Sequence, residues 1–294
     1  MGFSIRECCF VNSRKACVPF LEKELLRRAL AAPRPTGETS SVGVHMLLCE
    51  RGWAMNILAM WQFEKHTGRP WKFTLHDDGT LTSASADKIR TRFPDCRIIF
   101  AVQSDPVMKA SLEKFPRLRD MREKLVLGRK LLDPFHYAEG PRFIGLDSDL
   151  LFYRRPPEVL DWVDSGSDDC WFNQDNGEVY SVPRAAIEES FAVKLWPSVN
   201  SGLGLIPSRI MNHALCEEFL IRLSGHTKKA HFHEQTLYAL LASSYGKGGL
   251  LPSAYRILWD HKKPADAISC HYVGESKWHT LYFHLAREVM LHGR

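Results

Sequence analysis

The sequence has no C-x-x-C pair, although it contains eight cysteines, and it has neither an internal repeat nor a low-complexity tract. Scattered cysteines without the spacing of a metal clamp are typical of free thiols in a reducing compartment. The first residues include no apolar signal region, and no stretch of the chain is apolar over the length of a membrane span. We therefore expect a cytoplasmic protein without a transmembrane segment.

A strong excess of charge of one sign is also absent. The formal net charge is +5 over 294 residues, and no run of Lys and Arg is interleaved with aromatic residues. Such runs are typical of proteins that bind nucleic acid, so we predict that nucleic acid is not a partner. What the sequence does have is a large apolar fraction, 45% of its residues, which is enough to bury a sizeable core. The charge is compatible with a groove for a small anionic ligand.

Apolar runs that predict strands alternate with stretches of helical periodicity. Residues 42–49 form the first such run, and Trp53, Ile57 and Met60 then recur on one face of a helix. Further strands are predicted over 71–76, 96–102, 143–146, 170–173 and 250–258, and helices over 18–31, 84–92, 105–115, 118–132, 209–223 and 234–243. This alternation predicts an α/β fold with a Rossmann-like, mostly parallel sheet flanked by helices. We expect 1–42 to be an N-terminal helix and loop extension, and 43–294 to be one domain with a C-terminal lobe.

An acidic pair stands at the end of one predicted strand. Asp147 and Asp149 directly follow the apolar run 143–146, and open parallel sheets bind ligands at the carboxyl ends of their strands. Two carboxylates one residue apart can hold one hard divalent ion such as Mg²⁺ or Mn²⁺, which in turn can bridge to phosphate oxygens. The alternative is a polar strand end with two solvated carboxylates. We favour the metal site.

Four segments resemble, in the same order, the motifs of glycosyltransferase family 8, the family of glycogenin and bacterial lipopolysaccharide galactosyltransferases. Phe143–Leu151 resembles its metal-binding strand, and Asn200-Ser201-Gly202 resembles its N-S-G segment. Glu234-Gln235 is similar to its D-Q step, and His271–Trp278 to its closing H-F-x-G-x-x-K-P-W motif. The resemblance covers roughly residues 140–280, while the first 140 residues match in architecture only.

The resemblance implies a glycosyltransferase A-type catalytic domain that uses Mn²⁺ or Mg²⁺. Such an enzyme moves a sugar from a nucleotide-diphosphate-sugar, more often a UDP-sugar than a GDP-sugar, to a carbohydrate, protein or small-molecule acceptor, and in this family with retention. The implied site residues form three sets: metal ligands Asp147, Asp149 and His271; donor-binding residues Ser148, Gly274 and Lys277, joined by Lys124 or Lys130 from the preceding helix; and sugar-side catalytic residues Asn200, Glu234 and Gln235.

The sequence also departs from the family pattern. Glu234 takes the place of an aspartate, Lys277-Trp278 lacks the intervening proline, and no clear nucleotide-binding signature stands in 44–56. These departures indicate a divergent relative. Asp78, in the turn Asp77-Asp78-Gly79-Thr80, resembles the nucleotide-contacting carboxylate of inverting family 2 enzymes, although Asp-Gly is above all a turn signal.

Three other interpretations compete with a retaining transferase. The first is an inverting, family 2-like glycosyltransferase, and the second is a catalytically inactive nucleotide-binding module with the same fold. The third is a phosphatase of the haloacid-dehalogenase type, which is disfavoured because the acidic pair lies mid-chain and is followed by Leu150-Leu151. Trp171, Trp196 and Trp259 are candidates for stacking on an acceptor sugar, although aromatic residues are mostly core.

Overall fold

The computed structural model describes residues 5–223, 225, 227, 229–259 and 263–291. Its strands are β1 (Gly43–Leu48), β2 (Phe73–Asp77), β3 (Arg97–Ile99), β4 (Arg142–Leu146), β5 (Leu150–Phe152), β6 (Cys170–Gln174), β7 (Val199–Pro207), β8 (Gly248–Leu250), β9 (Tyr255–Leu258) and β10 (Ser269–Tyr272). Its α-helices are α1 (Ile5–Ala31), α2 (Trp53–Thr67), α3 (Ser83–Arg92), α4 (Ala101–Ser111), α5 (Pro116–Lys124), α6 (Val126–Tyr137), α7 (Pro157–Ser165), α8 (Arg184–Phe191), α9 (His213–Leu223), α10 (His233–Tyr245) and α11 (Thr280–Leu291).

Two sheets organise these elements. The large sheet has seven strands in the order β3-β2-β1-β4-β7-β6-β8, and the small one has three in the order β5-β10-β9. In the large sheet only β7 runs antiparallel to its neighbours, β4 and β6, while the pairs β1–β2, β1–β4, β2–β3 and β6–β8 are parallel. The predicted α/β fold with a mostly parallel sheet is confirmed. Because helices cover its faces, strand residues such as Val44 and Ile144 are completely buried.

The termini of the described chain pack together. Helix α1 begins earlier than the periodicity from residue 18 predicts, and its Leu25 and Ala29 are fully buried in the same hydrophobic cluster as β1. It also contacts α11, where the Tyr282 hydroxyl donates a hydrogen bond to Glu22 at 2.5 Å. The C-terminal segment supplies β9 and β10, which form the small sheet with β5, and then α11, which packs against α1. Among the described residues, no helix combines the length and the apolar composition needed to cross a membrane.

Several predicted boundaries are wrong, for local physical reasons. The helix predicted over 118–132 is interrupted at Leu125, whose backbone is extended, and is replaced by α5 and α6. The two helices cross closely at Gly128, where a Cβ would lie 2.7 Å from the Cα of Arg122. The helix predicted from 209 begins at His213, after a 3₁₀ turn. The strand predicted over 250–258 is two short strands, β8 and β9, and the strands β5, β7 and β10 and the helices α7 and α8 were not predicted.

Candidate functional site

The turn between β4 and β5 brings the two predicted carboxylates against the small sheet. Strand β10 pairs antiparallel with β5, so that His271 lies opposite Leu150, and the Tyr272 amide donates to the backbone carbonyl of Asp149 at 2.8 Å. The Nε2 atom of His271 lies 3.1 Å from Oδ1 of Asp149 and 3.6 Å from Oδ2 of Asp147. One ligand atom from each of these three residues lies within 4.8 Å of the others. The structure therefore brings together all three predicted metal ligands.

The hydrogen bonds of Asn200 show which nitrogen of the His271 ring carries the hydrogen. They leave Nε2, which faces the carboxylates, with a lone pair in the neutral ring. The Nδ2 group of Asn200 donates to Oδ2 of Asp175 at 2.9 Å, which leaves Oδ1 of Asn200 to face Nδ1 of His271, also at 2.9 Å. An amide oxygen can only accept, so Nδ1 of His271 carries a hydrogen and donates it. In the neutral ring the lone pair of Nε2 then points between two carboxylates, an arrangement that needs a proton or a cation. Outer hydrogen bonds of this kind are typical of metal-ligating histidines, and the donor set fits a divalent ion.

Charge at the site is shared between the imidazole and two lysines. Burial would lower the pKa of His271, but the charge of Asp149 and the hydrogen bond to it, followed by Asp147, raise it above its ordinary value of 6.5. Burial would likewise raise the pKa of Asp149, yet His271 and then Lys277 hold it well below its usual range. A proton on His271 therefore occupies the place between the carboxylates that a metal ion would take.

This proton leads to a pH-dependence prediction. The protonated ring stabilises the ion-free fold fully below about pH 6.5, and that contribution is lost as pH rises through the higher pKa of the folded protein. Because Nε2 must lose its proton to ligate a cation, we expect the affinity for Mn²⁺ to rise with pH through the raised pKa of His271, which lies above 6.5, with proton release on binding. Calorimetry in buffers of different ionisation enthalpy measures both quantities. His271→Gln should bind weakly without this dependence, His136→Gln should behave as wild type, and a pH-independent wild-type affinity would contradict the assignment.

The structure distinguishes between the two candidate lysines of the preceding segment. Lys130, on α6, places Nζ 2.8 Å from Oδ2 of Asp147, 3.1 Å from Oγ of Ser201 and 3.4 Å from Oε1 of Glu234. Burial would lower the pKa of Lys130, but Asp147 and then Glu234 raise it, so the amine stays charged. Lys124 ends α5 with its side chain 71% exposed and pairs with Asp120 at 2.5 Å. Of the two, Lys130 reaches the acidic pair and Lys124 does not.

The residues predicted for the sugar side lie next to this lysine. Ser201 donates from Oγ to Oε2 of Glu234 at 2.9 Å, and Nδ2 of Asn200 lies 3.4 Å from Oε1 of Gln235, whose own Nε2 donates to the Val179 carbonyl at 2.8 Å. Glu234 and Gln235 begin α10 and are buried. Burial raises the pKa of Glu234, with Lys130 opposing and Asp147 reinforcing the shift. The strand β7 and the start of α10 thus form one hydrogen-bonded polar wall beside the triad of Asp147, Asp149 and His271.

Of the remaining predicted donor-binding residues, Lys277 and Ser148 lie beside Asp149, whereas Asp78 lies in the turn after β2. Lys277 places Nζ 3.2 Å from Oδ2 of Asp149, on a 3₁₀ turn that starts at Gly274, where φ is +61°. Ser148 is half-buried between the two aspartates. Asp78 follows β2, where its Oδ1 accepts from the backbone amide and the hydroxyl of Thr80 at 3.0 and 2.6 Å. The turn interpretation of Asp78 is thus satisfied by the geometry, and its contact with a nucleotide stays a prediction.

Two residues that matter to the geometry were not singled out from the sequence. Asp175 directly follows β6 and accepts the hydrogen bond that orients Asn200, and its place after a predicted strand was a usable signal. Gly202 lies against the imidazole, because a Cβ built on it would be 2.3 Å from Nδ1 of His271. A glycine in the N-S-G segment therefore makes room for a ligand that comes from a distant part of the chain.

No protein-family model matches the sequence, and neither does any curated protein. The fold is nevertheless similar to solved glycosyltransferases. The galactosyltransferase LgtC, solved in complex with donor and acceptor sugar analogs, has a TM-score of 0.59 at 16% identity over 86% of this chain and 95% of its own. Mouse xyloside xylosyltransferase 1, in its apo form, has a TM-score of 0.53 at 12% identity over 80% of this chain and 98% of its own.

A third similar structure is the bifunctional glycosyltransferase WbbM, in its apo form, with a TM-score of 0.53 at 11% identity. The match covers 88% of this chain and 51% of that one. At these identities the likeness concerns the fold, and the chain has a divergent glycosyltransferase A-type fold. The fold that the resemblance implied is thus confirmed.

Proposed function

We propose that the protein is a metal-dependent glycosyltransferase that moves a sugar from a nucleotide-diphosphate-sugar, foremost a UDP-sugar, to an acceptor. The observation that carries this proposal is the convergence of Asp147, Asp149 and His271 at one point beside two lysines. The point lies where the strand β4 ends, at the carboxyl edge of its parallel neighbours, the edge at which such sheets bind ligands. The fold is that of solved glycosyltransferases, which makes sugar transfer the best chemical use of this site.

The three ligands suit Mn²⁺ better than Mg²⁺, because an imidazole nitrogen joins the two carboxylates. When bound, such an ion acts as a Lewis acid on the donor diphosphate and stabilises the charge of the leaving nucleoside diphosphate. The protein contributes the geometry. Asn200 orients His271 from behind, and the backbone bond from Tyr272 to Asp149 fixes the small sheet against the acidic turn. Both contacts hold the ligands in place before any ion arrives.

The two lysines have different roles in this proposal. The Lys277 side chain is 34% exposed beside Asp149, so its amine can turn toward a phosphate oxygen without leaving the site. Gly274 starts the same turn with a left-handed backbone, and a glycine there lets the main chain approach a phosphate closely. Lys130 is buried between Asp147, Ser201 and Glu234. It offsets the repulsion of two neighbouring carboxylates, and we assign it a positioning role.

Asn200, Glu234 and Gln235 are proposed to face the transferred sugar. They lie on the β7 side of the triad, whereas Asp78 follows β2, on the opposite side of β4 in the sheet order. A donor that spans the triad would thus place its base toward β1 and β2 and its sugar toward β7. Retention of the anomeric configuration is proposed on the resemblance of Asn200 and Glu234-Gln235 to the family motifs.

Thermal unfolding with nucleotides tests this function. UDP should raise the midpoint only when Mn²⁺ is present, because ligand and ion bind the native state together. A hydrolysis panel of UDP-glucose, UDP-galactose, UDP-xylose and GDP-mannose with Mn²⁺ should identify a donor that is slowly cleaved. Indifference to UDP, GDP and Mn²⁺ alike, with no donor cleaved, would contradict the proposal. Phosphatase activity on p-nitrophenyl phosphate that is lost in Asp147→Asn, without nucleotide dependence, would favour the phosphatase alternative.

A further inference from the structure

Trp259 is the exposed tryptophan of this protein. Its surface is 58% accessible, whereas the other seven tryptophans are buried or half-buried. Trp171 and Trp196, the other two candidates for stacking on a sugar, pack against the hydrophobic clusters. A single exposed apolar residue is ordinary on a protein surface. The position of Trp259 is what makes its exposure informative.

The register of the small sheet places Trp259 just beyond the level of His271. Strand β9 runs parallel to β10, with Ile257 opposite His271 and Leu258 opposite Tyr272. Trp259 comes next, two residues beyond the level of His271, which is about 7 Å along a strand. A Cβ built on Gly274 would lie 3.9 Å from Cζ3 of the Trp259 ring. The indole therefore stands beside the turn that carries Lys277 and opens to solvent there.

The same strand is also linked to the segment that orients Asn200. Strand β9 contacts β6, and Asn176, at the end of β6, donates from Nδ2 to the carbonyl of Ile257 at 3.1 Å. Its neighbour Asp175 is the residue that orients Asn200. On the other side, Arg51 stacks its guanidinium 3.6 Å from the ring centroid of Trp278. Strand β9 is thus linked to the segment that orients Asn200, while Trp259 at its end also borders the turn of Gly274.

We propose that Trp259 is an acceptor-binding residue and that the acceptor is a carbohydrate, whose pyranose ring stacks on the exposed indole face. A pyranose has one face of C–H groups and an edge of hydroxyls, which matches an exposed apolar ring at the end of a strand whose Ile257 carbonyl binds the polar Asn176 side chain. Stacking uses a rigid side chain and therefore orients the ring at little cost in side-chain entropy. This inference rests on the proposed transferase function and adds the class of its acceptor.

The inference about the acceptor can be tested separately from the transferase function, through glycoside binding and sugar transfer. Saturation-transfer NMR is recorded with UDP, the diamagnetic ion Mg²⁺ and the methyl glycosides of glucose, galactose, xylose and mannose. We expect the wild type to saturate the protons on one pyranose face of at least one glycoside, and Trp259→Ala to lose this signal while Trp259→Phe keeps part of it. With that glycoside as acceptor, kcat/KM for transfer should fall about tenfold in Trp259→Ala while donor hydrolysis is unchanged. Phe20→Ala, which removes an exposed aromatic ring on α1, is the matched control.

The outcomes are distinguishable. If the wild type binds UDP with Mn²⁺ but no glycoside, or if Trp259→Ala binds glycosides as well as the wild type, this inference is wrong and the transferase proposal stands. If Trp259→Ala weakens UDP binding instead, the indole stacks on the base and the acceptor assignment is wrong. If the wild type binds neither UDP nor GDP with Mn²⁺, the proposed function fails first.

Discussion

Asp149→Ala is expected to abolish both Mn²⁺-dependent nucleotide binding and sugar transfer while the fold is retained. Asp149 supplies one metal ligand and also contacts Nε2 of His271 at 3.1 Å and Nζ of Lys277 at 3.2 Å. Without it, the ion loses a charged ligand and Lys277 loses the partner that holds it at the site. Removal of one partner from a buried ion pair costs about 3–5 kcal/mol, although here His271 can lower this cost by releasing its proton. Calorimetric titration of UDP with Mn²⁺, together with circular dichroism, measures both effects.

One further variant tests whether the charge or the shape of Asp149 is required, and a second variant serves as a control. Asp149→Asn keeps the volume and removes the charge, and we expect it to fail in metal binding nearly as completely as the alanine variant. Asp164→Asn removes an exposed carboxylate that pairs with Arg69 at 2.7 Å and, within the described part of the chain, forms no hydrogen bond or ion pair with the triad, and this variant should bind and transfer as wild type. Substantial transfer by Asp149→Ala in the presence of a chelator would refute the role of the metal.

Gly202→Ala is expected to weaken Mn²⁺ binding about a hundredfold by displacing the imidazole of His271. The added methyl group would lie 2.3 Å from Nδ1 and 2.4 Å from Cε1 of His271, and 3.0 Å from Oδ1 of Asn200. The first two separations are too short for any side chain to tolerate, so the ring must move. Its movement breaks the hydrogen bond that directs Nε2 at the carboxylates. The prediction is checked by Mn²⁺ titration with UDP, followed by electron paramagnetic resonance of the free ion.

The same strand offers a matched control for this variant. Gly204→Ala, two residues further along β7, would bring its methyl group within 2.6 Å of the Phe172 ring and 2.8 Å of the Ile206 side chain. That contact strains the hydrophobic core and should lower the unfolding midpoint, yet leave Mn²⁺ affinity unchanged. Gly202→Ala should show the reverse pattern, with a larger loss of affinity than of stability. Wild-type affinity in Gly202→Ala would show that His271 is not a ligand.

Many of the parallel strands of the large sheet were predictable from the sequence, because they are buried on both faces and therefore appear as continuous apolar runs. A continuous apolar run such as 143–146 can be recognised as a strand without knowledge of its neighbouring strands. The location of the carboxylates at its end then follows from the topology of parallel sheets. The three-residue strand β5 was not predicted, because so short an element carries no period of its own. Its pairing with β10 is nevertheless what brings His271 to the acidic turn.

The sequence pattern alone could not decide whether Lys124 or Lys130 lies at the site. Both lie in a stretch with continuous helical periodicity, and the interruption at Leu125 decides which of them faces the sheet. Gly128 lets α5 and α6 pack closely after this interruption, because a Cβ there would lie 2.7 Å from the Cα of Arg122, and the helical periodicity does not show this. The role of Gly202 was hidden in the same way, because the atom that it accommodates belongs to β10.

The central claim is that Asp147, Asp149 and His271 ligate one divalent ion together. Diffraction at the manganese absorption edge from a crystal grown with Mn²⁺ and UDP tests it directly. We expect one strong anomalous peak between Nε2 of His271 and the two carboxylates, with diphosphate oxygens beside it. A peak elsewhere on the chain, or none while UDP is bound, would contradict it.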